Sequence, residues 1–422
     1  MIDLAVVAIL FIFCLIDIRR RNVGVSAYIL LFQENHLIPF ENLGITWAGY
    51  IFYMMIILLV SMRWRIMARF KKISIEVFRS AYSIFLLTLT LLLIIHTLIG
   101  SVNTEESSLL VRRFFTQVLP VLVFTVFWLG NEGHKRIFDE IALGILRYGL
   151  LLAVVLILCG DIFNVNNLVR KDIADTVGMS PIAVTRTGCT LLITSVYLLS
   201  KRGFGRFYVI SCVVGVILVF LGMSRGPLFS TILVMIGWVI FRRKDILYLI
   251  KRNALIFALI FSVVIASLFG LFASSIGQRY IDRIQGLDSL DNTYRFQRWI
   301  MANDFFQNEY RLLSFDGIFG KGPASFDAIF GLNYAHNVFL EFSFEYGLIG
   351  VLLISYLSVL ISLNYRDYCR RYREREYLAL LSLYLFISAN FSGDLIGWRN
   401  LFFVTILLVI SNKTLQHENS YS

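Results

Sequence analysis

Charged side chains are scarce in this sequence, and their scarcity excludes an ordinary soluble domain. Asp, Glu, Lys and Arg make up 16% of the 422 residues, whereas 58% are hydrophobic. The mean hydropathy is +0.74. Soluble globular domains carry about 25% charged residues. The composition therefore predicts a polytopic membrane protein.

Patterns that bind metals or form disulfides are also missing. The five cysteines show neither a zinc spacing nor a disulfide framework. They are Cys14, Cys159, Cys189, Cys212 and Cys369. The sequence contains no D-x-D motif, no H-E-x-x-H motif and no Cys/His cluster. We therefore expect a protein that binds no metal and needs no cofactor.

The excess of basic residues does not indicate a nucleic-acid partner. The net charge is +11, but Lys and Arg lie mostly in short blocks between apolar runs. The blocks are residues 19–21, 63–72, 201–206, 242–244 and 366–375. Such blocks are typical of the cytoplasmic ends of membrane helices. We predict that the chain lies in a lipid bilayer and binds no nucleic acid.

Apolar runs that could cross a bilayer recur along the chain. A helix needs about 20 mostly apolar residues to cross the hydrocarbon core. There are about 12 such runs, near residues 1–18, 44–62, 80–100, 113–130, 141–160, 184–200, 205–223, 226–241, 252–272, 337–363, 376–392 and 396–412. A bilayer offers no partner to open backbone groups, and the runs lack the alternation of a membrane barrel. We therefore predict an all-α polytopic membrane protein.

Charge differences between the connections predict the orientation. Residues 61–79 carry six basic residues against one acidic, and residues 242–252 carry five against one. Residues 273–336 carry six against seven. Basic connections face the cytoplasm, so this last segment is predicted on the opposite side.

The predicted organisation has four parts. They are about nine transmembrane helices in residues 1–272, a large outer loop in 273–336, three transmembrane helices in 337–412 and a cytoplasmic tail in 413–422. The topology of residues 19–44 stays open. Either residues 23–40 cross or re-enter the membrane, or the basic block at 19–21 lies outside.

The large loop is the longest polar interval of the chain. Connections of this length are usually functional or disordered. This one carries aromatic and aliphatic residues throughout, among them Phe296, Trp299, Phe305, Phe319 and Phe326. We therefore predict a partly helical cap on one membrane face.

Arginines are the expected cations for a phosphate group where no metal is bound. Arg295 and Arg298 lie one turn apart in TYRFQRW, and Arg279 and Arg283 lie four apart in QRYIDRI. Acidic residues of the loop offer these four a different role, as ion pairs on a solvated surface. Arg225 lies in the turn GMSRGPLF on the predicted outer face, where a cation is disfavoured. Its alternative role is snorkelling to lipid headgroups.

His336 is the one histidine of the large loop and stands immediately before an apolar run. Asn337 follows it at the expected start of the helix. Glu341 and Glu345 come next, and an acid within a span is costly unless it faces a cavity or the protein interior. A lone histidine at a helix start also fits a simple polar or capping role.

These residues form a pattern that resembles the signature of the O-antigen ligase and polymerase superfamily. The pattern H-N-x-x-L-x-x-x-x-E-x-G-x-x-G is present as His336, Asn337, Leu340, Glu345, Gly347 and Gly350. The blocks SRG at 224–226, YRFQRW at 294–299 and GKGPASF at 320–326 also match the superfamily in order and spacing. The similarity covers roughly residues 180–362. The two glycines of the pattern are expected to mark close packing between helices.

The resemblance implies a GT-C-like glycosyltransferase of the bacterial inner membrane whose active site faces the periplasm. Such enzymes transfer a glycan from an undecaprenyl-pyrophosphate donor to an acceptor hydroxyl without a metal. The resemblance assigns His336 the role of base and Arg225 and Arg295 the binding of the diphosphate. Further candidate substrate-binding residues are Arg298, Arg279, Arg283, Asn337, Glu341 and Glu345.

Three activities remain open within these expectations. A polymerase of lipid-linked repeat units is favoured, with a chain-length regulator protein as a candidate partner. A ligase that moves the finished glycan to lipid A core would need the same site. A polysaccharide or lipid transporter is less well supported, because transporters tend to show internal repeats and ionisable residues at mid-span.

Overall fold

A computed structural model of the chain describes residues 81–99, 107–108, 111, 114, 137–159, 181–203, 205–222, 224–252, 290–308, 311, 313–331, 335, 337–370, 376–391, 401 and 404. Across these residues the structure is mostly helical and contains no β-strand, so the all-α prediction is confirmed for them. The helices are α1 (Ala81–Ile99), α2 (Ile137–Cys159), α3 (Pro181–Arg202), α4 (Arg206–Gly222), α5 (Arg225–Arg252), α6 (Leu290–Asn308), α7 (Phe315–Phe319), α8 (Ser325–Phe330), α9 (Val338–Arg370) and α10 (Glu376–Ala389).

Several predicted apolar runs coincide with helices. The runs at 80–100, 141–160, 184–200, 205–223 and 376–392 are α1, α2, α3, α4 and α10. The runs at 1–18, 44–62 and 252–272 lie outside the described residues, as do most of 113–130 and 396–412. The count of about 12 therefore stays a prediction.

Two helices continue beyond their predicted ends into basic sequence. Helix α5 runs on to Arg252, although residues 242–252 were expected to form a connection. Its backbone departs from helical geometry at Arg242, where φ is −109° and ψ is 16°. Helix α9 likewise extends past residue 363 to Arg370. Backbone hydrogen bonds can continue a helix through charged residues once the apolar run has ended.

Helices α5 and α9 contain the stretches that are long and apolar enough to cross a membrane. In the described part of the chain these stretches are Arg225–Arg243 and Val338–Arg370. Shorter apolar stretches occur in α1, α2, α4 and α10.

Exposed apolar residues form one stripe on each of these two helices. In α5 they are Phe229, Ile232, Leu233, Ile236, Val239 and Ile240. In α9 they are Leu348, Leu352, Tyr356, Val359 and Leu363. Spacings of three and four residues place each set on one helical face. A stripe of this kind is expected where a helix faces lipid, because water would favour its burial.

By internal contacts the chain divides into two compact units. One contains Ile141–Tyr294, and the other contains Ile51–Glu140 and Arg295–Ser422. In the first unit α3 and α4 cross closely at Gly188 and Gly215. A Cβ atom added at Gly188 would lie 2.7 Å from the Gly215 carbonyl oxygen. In the second unit α9 lies at the centre of the core, packed with residues of α1 and α10.

Candidate active site

Helix α9 is interrupted at Gly347, where the backbone has φ 60° and ψ −146°. This conformation favours glycine. The space is also closed, because a Cβ atom at Gly347 would lie 2.6 Å from the Gly320 nitrogen and 2.7 Å from the Gly317 oxygen. The break divides α9 into a short segment, residues 338–346, and a long segment, residues 348–370. We use these two names below.

The end of the short segment is held by a glycine-containing loop, residues 320–324, which we call the glycine loop. The Lys321 N–H donates to the Phe344 carbonyl at 2.9 Å, and the Gly322 N–H donates to the Glu345 carbonyl at 3.1 Å. The break leaves these carbonyls without the helical donors they would otherwise have. Gly320 itself lies against the backbone of Glu345 so closely that no side chain would fit there. The loop therefore acts as the cap of the short segment.

Glu345 fixes the glycine loop through its side chain. Its Oε1 accepts the Ala324 N–H at 2.8 Å, and Ala324 has the left-handed conformation with φ 58°. The carboxylate is buried, as is that of Glu341. The prediction that both acids face the protein interior is confirmed. Glu345 is engaged with the backbone of the glycine loop, which assigns it a structural contact in addition to any contact with substrate.

Two residues from the earlier part of the chain hold the glycine loop and α7 from the other side. His96 Nε2 lies 2.9 Å from the Phe319 carbonyl oxygen, and the Ser107 hydroxyl donates to the Pro323 carbonyl at 2.8 Å. The His96 ring also meets the Tyr346 ring edge to face, with centroids 6.2 Å apart. These contacts could not be predicted from sequence patterns, because the partners are 223 and 216 residues apart.

The start of the short segment is held as firmly as its end. The Asn337 side chain accepts the Phe339 N–H at 2.9 Å and the Leu340 N–H at 3.2 Å, which is the geometry of a helix N-cap. Ala335 is buried, and its carbonyl accepts the Trp299 indole N–H at 3.2 Å. His336 lies outside the described residues, but both its neighbours are fixed. The two neighbours of the predicted base are therefore held by contacts with α6 and with the start of α9.

Helix α6 carries the predicted arginine pair. Arg295 and Arg298 both fall within Leu290–Asn308, so the predicted helix is confirmed. It begins at Leu290, and Asp291 therefore lies in the first turn. Arg298 is only 7% exposed and shares a buried face with Ala302 and Phe305. It therefore does not lie on a solvated surface, which its alternative role as a surface ion pair required. Arg279 and Arg283 lie outside the described residues.

An aromatic cluster joins α6, α8 and the short segment. Its members are Phe305, Phe306, Phe326, Phe330 and Phe344, with neighbouring ring centroids 4.6 to 6.3 Å apart. The ammonium of Lys321 lies 4.8 Å from the centre of the Phe305 ring. At this distance the cation is attracted to the ring. The described residues of the large loop are thus partly helical and packed, whereas the predicted cap on one membrane face stays a prediction. Lys321 is a cation of this loop that sequence reasoning left unassigned.

Gly347 and Gly350 were predicted to mark close packing between helices, and the structure gives them different neighbours. Gly347 lies against the backbone of α7 and the glycine loop. Gly350 lies against Phe342 and Tyr346 of the short segment, across the break in its own helix. The close approach is confirmed, but its partners are not a second spanning helix. The glycine contact between helices occurs instead at Gly188 and Gly215.

Arg225 belongs to the other unit, where it is the first residue of α5 and is partly exposed. The preceding turn is tied to α3, because the Ser224 N–H donates to the Thr185 hydroxyl at 3.1 Å. A cation at a helix N-terminus opposes the helix dipole, and no acidic residue lies in the first turn of α5 to offset it. An anion bound at this place would be attracted by the Arg225 guanidinium and by the positive end of the helix dipole.

Among the described residues there is no group of three or more His, Cys, Asp or Glu side chains that could hold a metal ion. The absence of a metal requirement stays a prediction for the whole chain. The described part of the site offers buried carboxylates, cations and backbone donors. Of this set, the cations suit the binding of an anionic group.

Comparison of the chain with models of known protein families gives no match. Comparison with curated proteins gives no significant match either.

Proposed function

We propose that this protein is a glycosyltransferase that polymerises undecaprenyl-pyrophosphate-linked oligosaccharide repeat units at the periplasmic face of the bacterial inner membrane. The proposal rests on the resemblance of the sequence to the O-antigen ligase and polymerase superfamily. One observation supports it above the others. The residues on either side of His336 are both hydrogen-bonded, Asn337 as the N-cap of the short segment and Ala335 to the Trp299 indole N–H.

A histidine at this place in the sequence suits general base catalysis. A base must be held within hydrogen-bonding reach of the proton it removes. In the proposed reaction His336 takes the proton of the acceptor hydroxyl, and the oxygen forms a bond to the anomeric carbon of the donor. The bond between that carbon and the diphosphate oxygen breaks, and the diphosphate leaves on its lipid.

Arginines are proposed to stabilise the charge that develops on the departing diphosphate. Arg295 is one helical turn from Arg298 on α6, and that helix also supplies Trp299, whose hydrogen bond holds the residue before His336. Arg295 thus belongs to the helix that is hydrogen-bonded to the residue before His336. The resemblance assigns Arg225 the same task. Guanidinium groups match phosphate oxygens with two parallel hydrogen bonds, which an ammonium cannot do.

The membrane setting supports a lipid-linked substrate. In the described part of the chain, two helices are long and apolar enough to cross a bilayer. The break at Gly347 lies at one end of the apolar stripe of α9, so the proposed site is next to the end of the long segment. A diphosphate attached to a membrane lipid would be held at this depth. The charge asymmetry of the connections supports the periplasmic side.

A ligase that transfers the finished glycan to lipid A core would use the same base and cations. The two functions differ in the acceptor. The deciding experiment incubates purified protein with lipid-linked repeat units, with and without lipid A core, and resolves the products by length. A ladder formed without lipid A core supports the polymerase. Single transfer that requires lipid A core supports the ligase, and no transfer with either acceptor would reject both.

A further inference from the structure

The turn that leads into α7 presents apolar side chains outward. Leu313 is 94% exposed, more than any other large hydrophobic residue in the described part of the chain. Phe315, two residues later, is 50% exposed. Most of the described aromatic residues of this cap are instead packed in the cluster between α6, α8 and α9. A leucine and a phenylalanine that are exposed in one short turn are therefore expected to be covered by lipid or by another molecule.

Hydrogen bonds hold this turn in shape. The Ser314 N–H donates to the Arg311 carbonyl at 3.0 Å, and the Ser314 hydroxyl donates to the same oxygen at 2.7 Å. The hydroxyl in turn accepts the Gly317 N–H at 3.0 Å and so caps α7. The Phe315 ring is stacked on Phe319, with centroids 4.8 Å apart. Leu313 is thus exposed within a hydrogen-bonded turn, and its exposure does not result from a frayed helix end.

Helix α7 lies where the long segment of α9 begins. A Cβ atom at Gly347 would lie 2.7 Å from the carbonyl oxygens of both Gly317 and Ile318, so the two backbones touch. The next residue, Leu348, is the first member of the exposed apolar stripe of α9, and Leu352 continues it. If that stripe faces lipid, α7 stands at the level where the hydrocarbon ends.

We propose that Leu313 and Phe315 insert into the boundary between headgroups and acyl chains of the leaflet at this end of α9. Arg311, which is exposed beside them, then lies among the lipid phosphates. Asp316 is also exposed and has to stay in water, which limits the insertion to the boundary. Aromatic residues are enriched at this depth. The turn anchors the cap at a fixed depth relative to the membrane. This anchoring does not depend on the proposed reaction.

A second copy of the chain is a poorer occupant. A stable protein interface buries about 800 Å² on each partner. Two apolar side chains provide roughly 400 Å² at most. Insertion into lipid has no such minimum, because each buried side chain contributes separately.

The test places a nitroxide on the full-length chain in lipid vesicles. The five native cysteines are first replaced, and Leu313→Cys is then labelled. Asn308→Cys is the matched control, because Asn308 is an exposed polar residue at the end of α6 in the same cap. Power saturation compares collisions of each label with oxygen, which concentrates in lipid, and with a water-soluble nickel complex. Leu313 makes few contacts, so its replacement leaves the fold in place, as thermal unfolding will check.

The expected result is a several-fold higher ratio of oxygen to nickel collisions at position 313 than at position 308. A label at Phe315→Cys should give a ratio that also exceeds the control. Equal, water-like ratios at 313 and 308 would overturn the proposal. Spin–spin broadening at 313 that persists when the protein is diluted with lipid would show a second copy at this surface, and would overturn it as well.

Discussion

The helix pair α3–α4 and the short segment of α9 both bury polar groups, but they satisfy them in different ways. In α3 and α4 four buried hydroxyls donate to carbonyls one turn back in the same helix, at 2.6 to 2.9 Å; they belong to Thr190, Thr194, Ser195 and Ser211. Around the short segment the bonds run between distant parts of the chain, from Trp299 to Ala335, from Ser107 to Pro323 and from Ala324 to Glu345.

This difference identifies the pair α3–α4 as a scaffold and the short segment of α9 as part of the proposed site. Hydroxyls that are satisfied within their own helix hold no other part of the chain in place, so changes to those four hydroxyls should alter stability alone. The short segment is placed by contacts at both of its ends. Changes to those contacts should alter the proposed reaction as well as stability. The substitutions below test this contrast, from the largest expected effect on stability to the smallest.

The substitution Gly347→Ala should have the largest effect. It combines a left-handed backbone with a Cβ atom pressed against the glycine loop, so we expect a loss of about 3 kcal/mol or more in the free energy of unfolding. Gly331→Ala is the matched control, because Gly331 has φ 65° but open space around it. That control should lose only about 1 kcal/mol. Thermal unfolding in detergent measures both, and equal losses would show that the contact with the glycine loop is unimportant.

The substitution Gly188→Ala tests the scaffold. Its Cβ atom would meet backbone atoms of Gly215 and Val219 at 2.7 and 2.8 Å, so α3 and α4 must move apart at a cost of about 2 kcal/mol. Gly149→Ala is milder, because its Cβ atom would meet the flexible side chain of Leu191. Both variants should keep the donor KM of the native protein in the transfer assay. A changed KM in the stably folded Gly188→Ala protein would place α3 in the site.

The substitution Glu345→Ala removes the acceptor for the Ala324 N–H and should cost about 1 to 2 kcal/mol. Glu345→Gln keeps an oxygen at that position and should retain most of the stability. If Glu345 only holds the glycine loop, Gln should also retain most of the transfer rate. Loss of transfer in a stable Gln variant would show that the carboxylate takes part in the reaction, in agreement with the place of Glu345 among the candidate substrate-binding residues.

The smallest effect is expected for Ser107→Ala. The change removes one buried hydrogen bond to the Pro323 carbonyl and should cost about 1 kcal/mol. Ser195→Ala is its counterpart in the scaffold, where the lost bond is to Leu191 in the same helix. The two variants should unfold at similar temperatures, but only Ser107→Ala should lower the rate of transfer. Equal rates in both would remove Ser107 from the set that positions the loop.

The helices were predictable because an apolar run of sufficient length has few other stable structures in a membrane. The continuation of α5 past Arg242 was not, since hydropathy does not report whether backbone hydrogen bonding continues. The pattern around His336 correctly indicated a helix start at Asn337 and two interior acids. It could not indicate His96 or Ser107, whose partners are more than 200 residues away.

Gly347 and Arg298 show the same limit in detail. A glycine in a predicted spanning helix suggests packing between helices. Gly347 instead breaks α9 through a positive φ angle, which sequence patterns do not predict. An arginine among several acids suggests a solvated ion pair. Arg298 is buried because it shares a helical face with Ala302 and Phe305, and that face meets the protein interior.

The most direct test of the account measures donor binding and single-turnover transfer for His336→Ala and Arg295→Ala side by side. For His336→Ala we predict transfer lowered by roughly 10²- to 10⁴-fold with nearly unchanged donor affinity, because the base acts on the acceptor. For Arg295→Ala we predict that affinity and rate fall together, because the cation contacts the diphosphate before and during transfer. Near-normal transfer by a stably inserted His336→Ala protein would contradict the account.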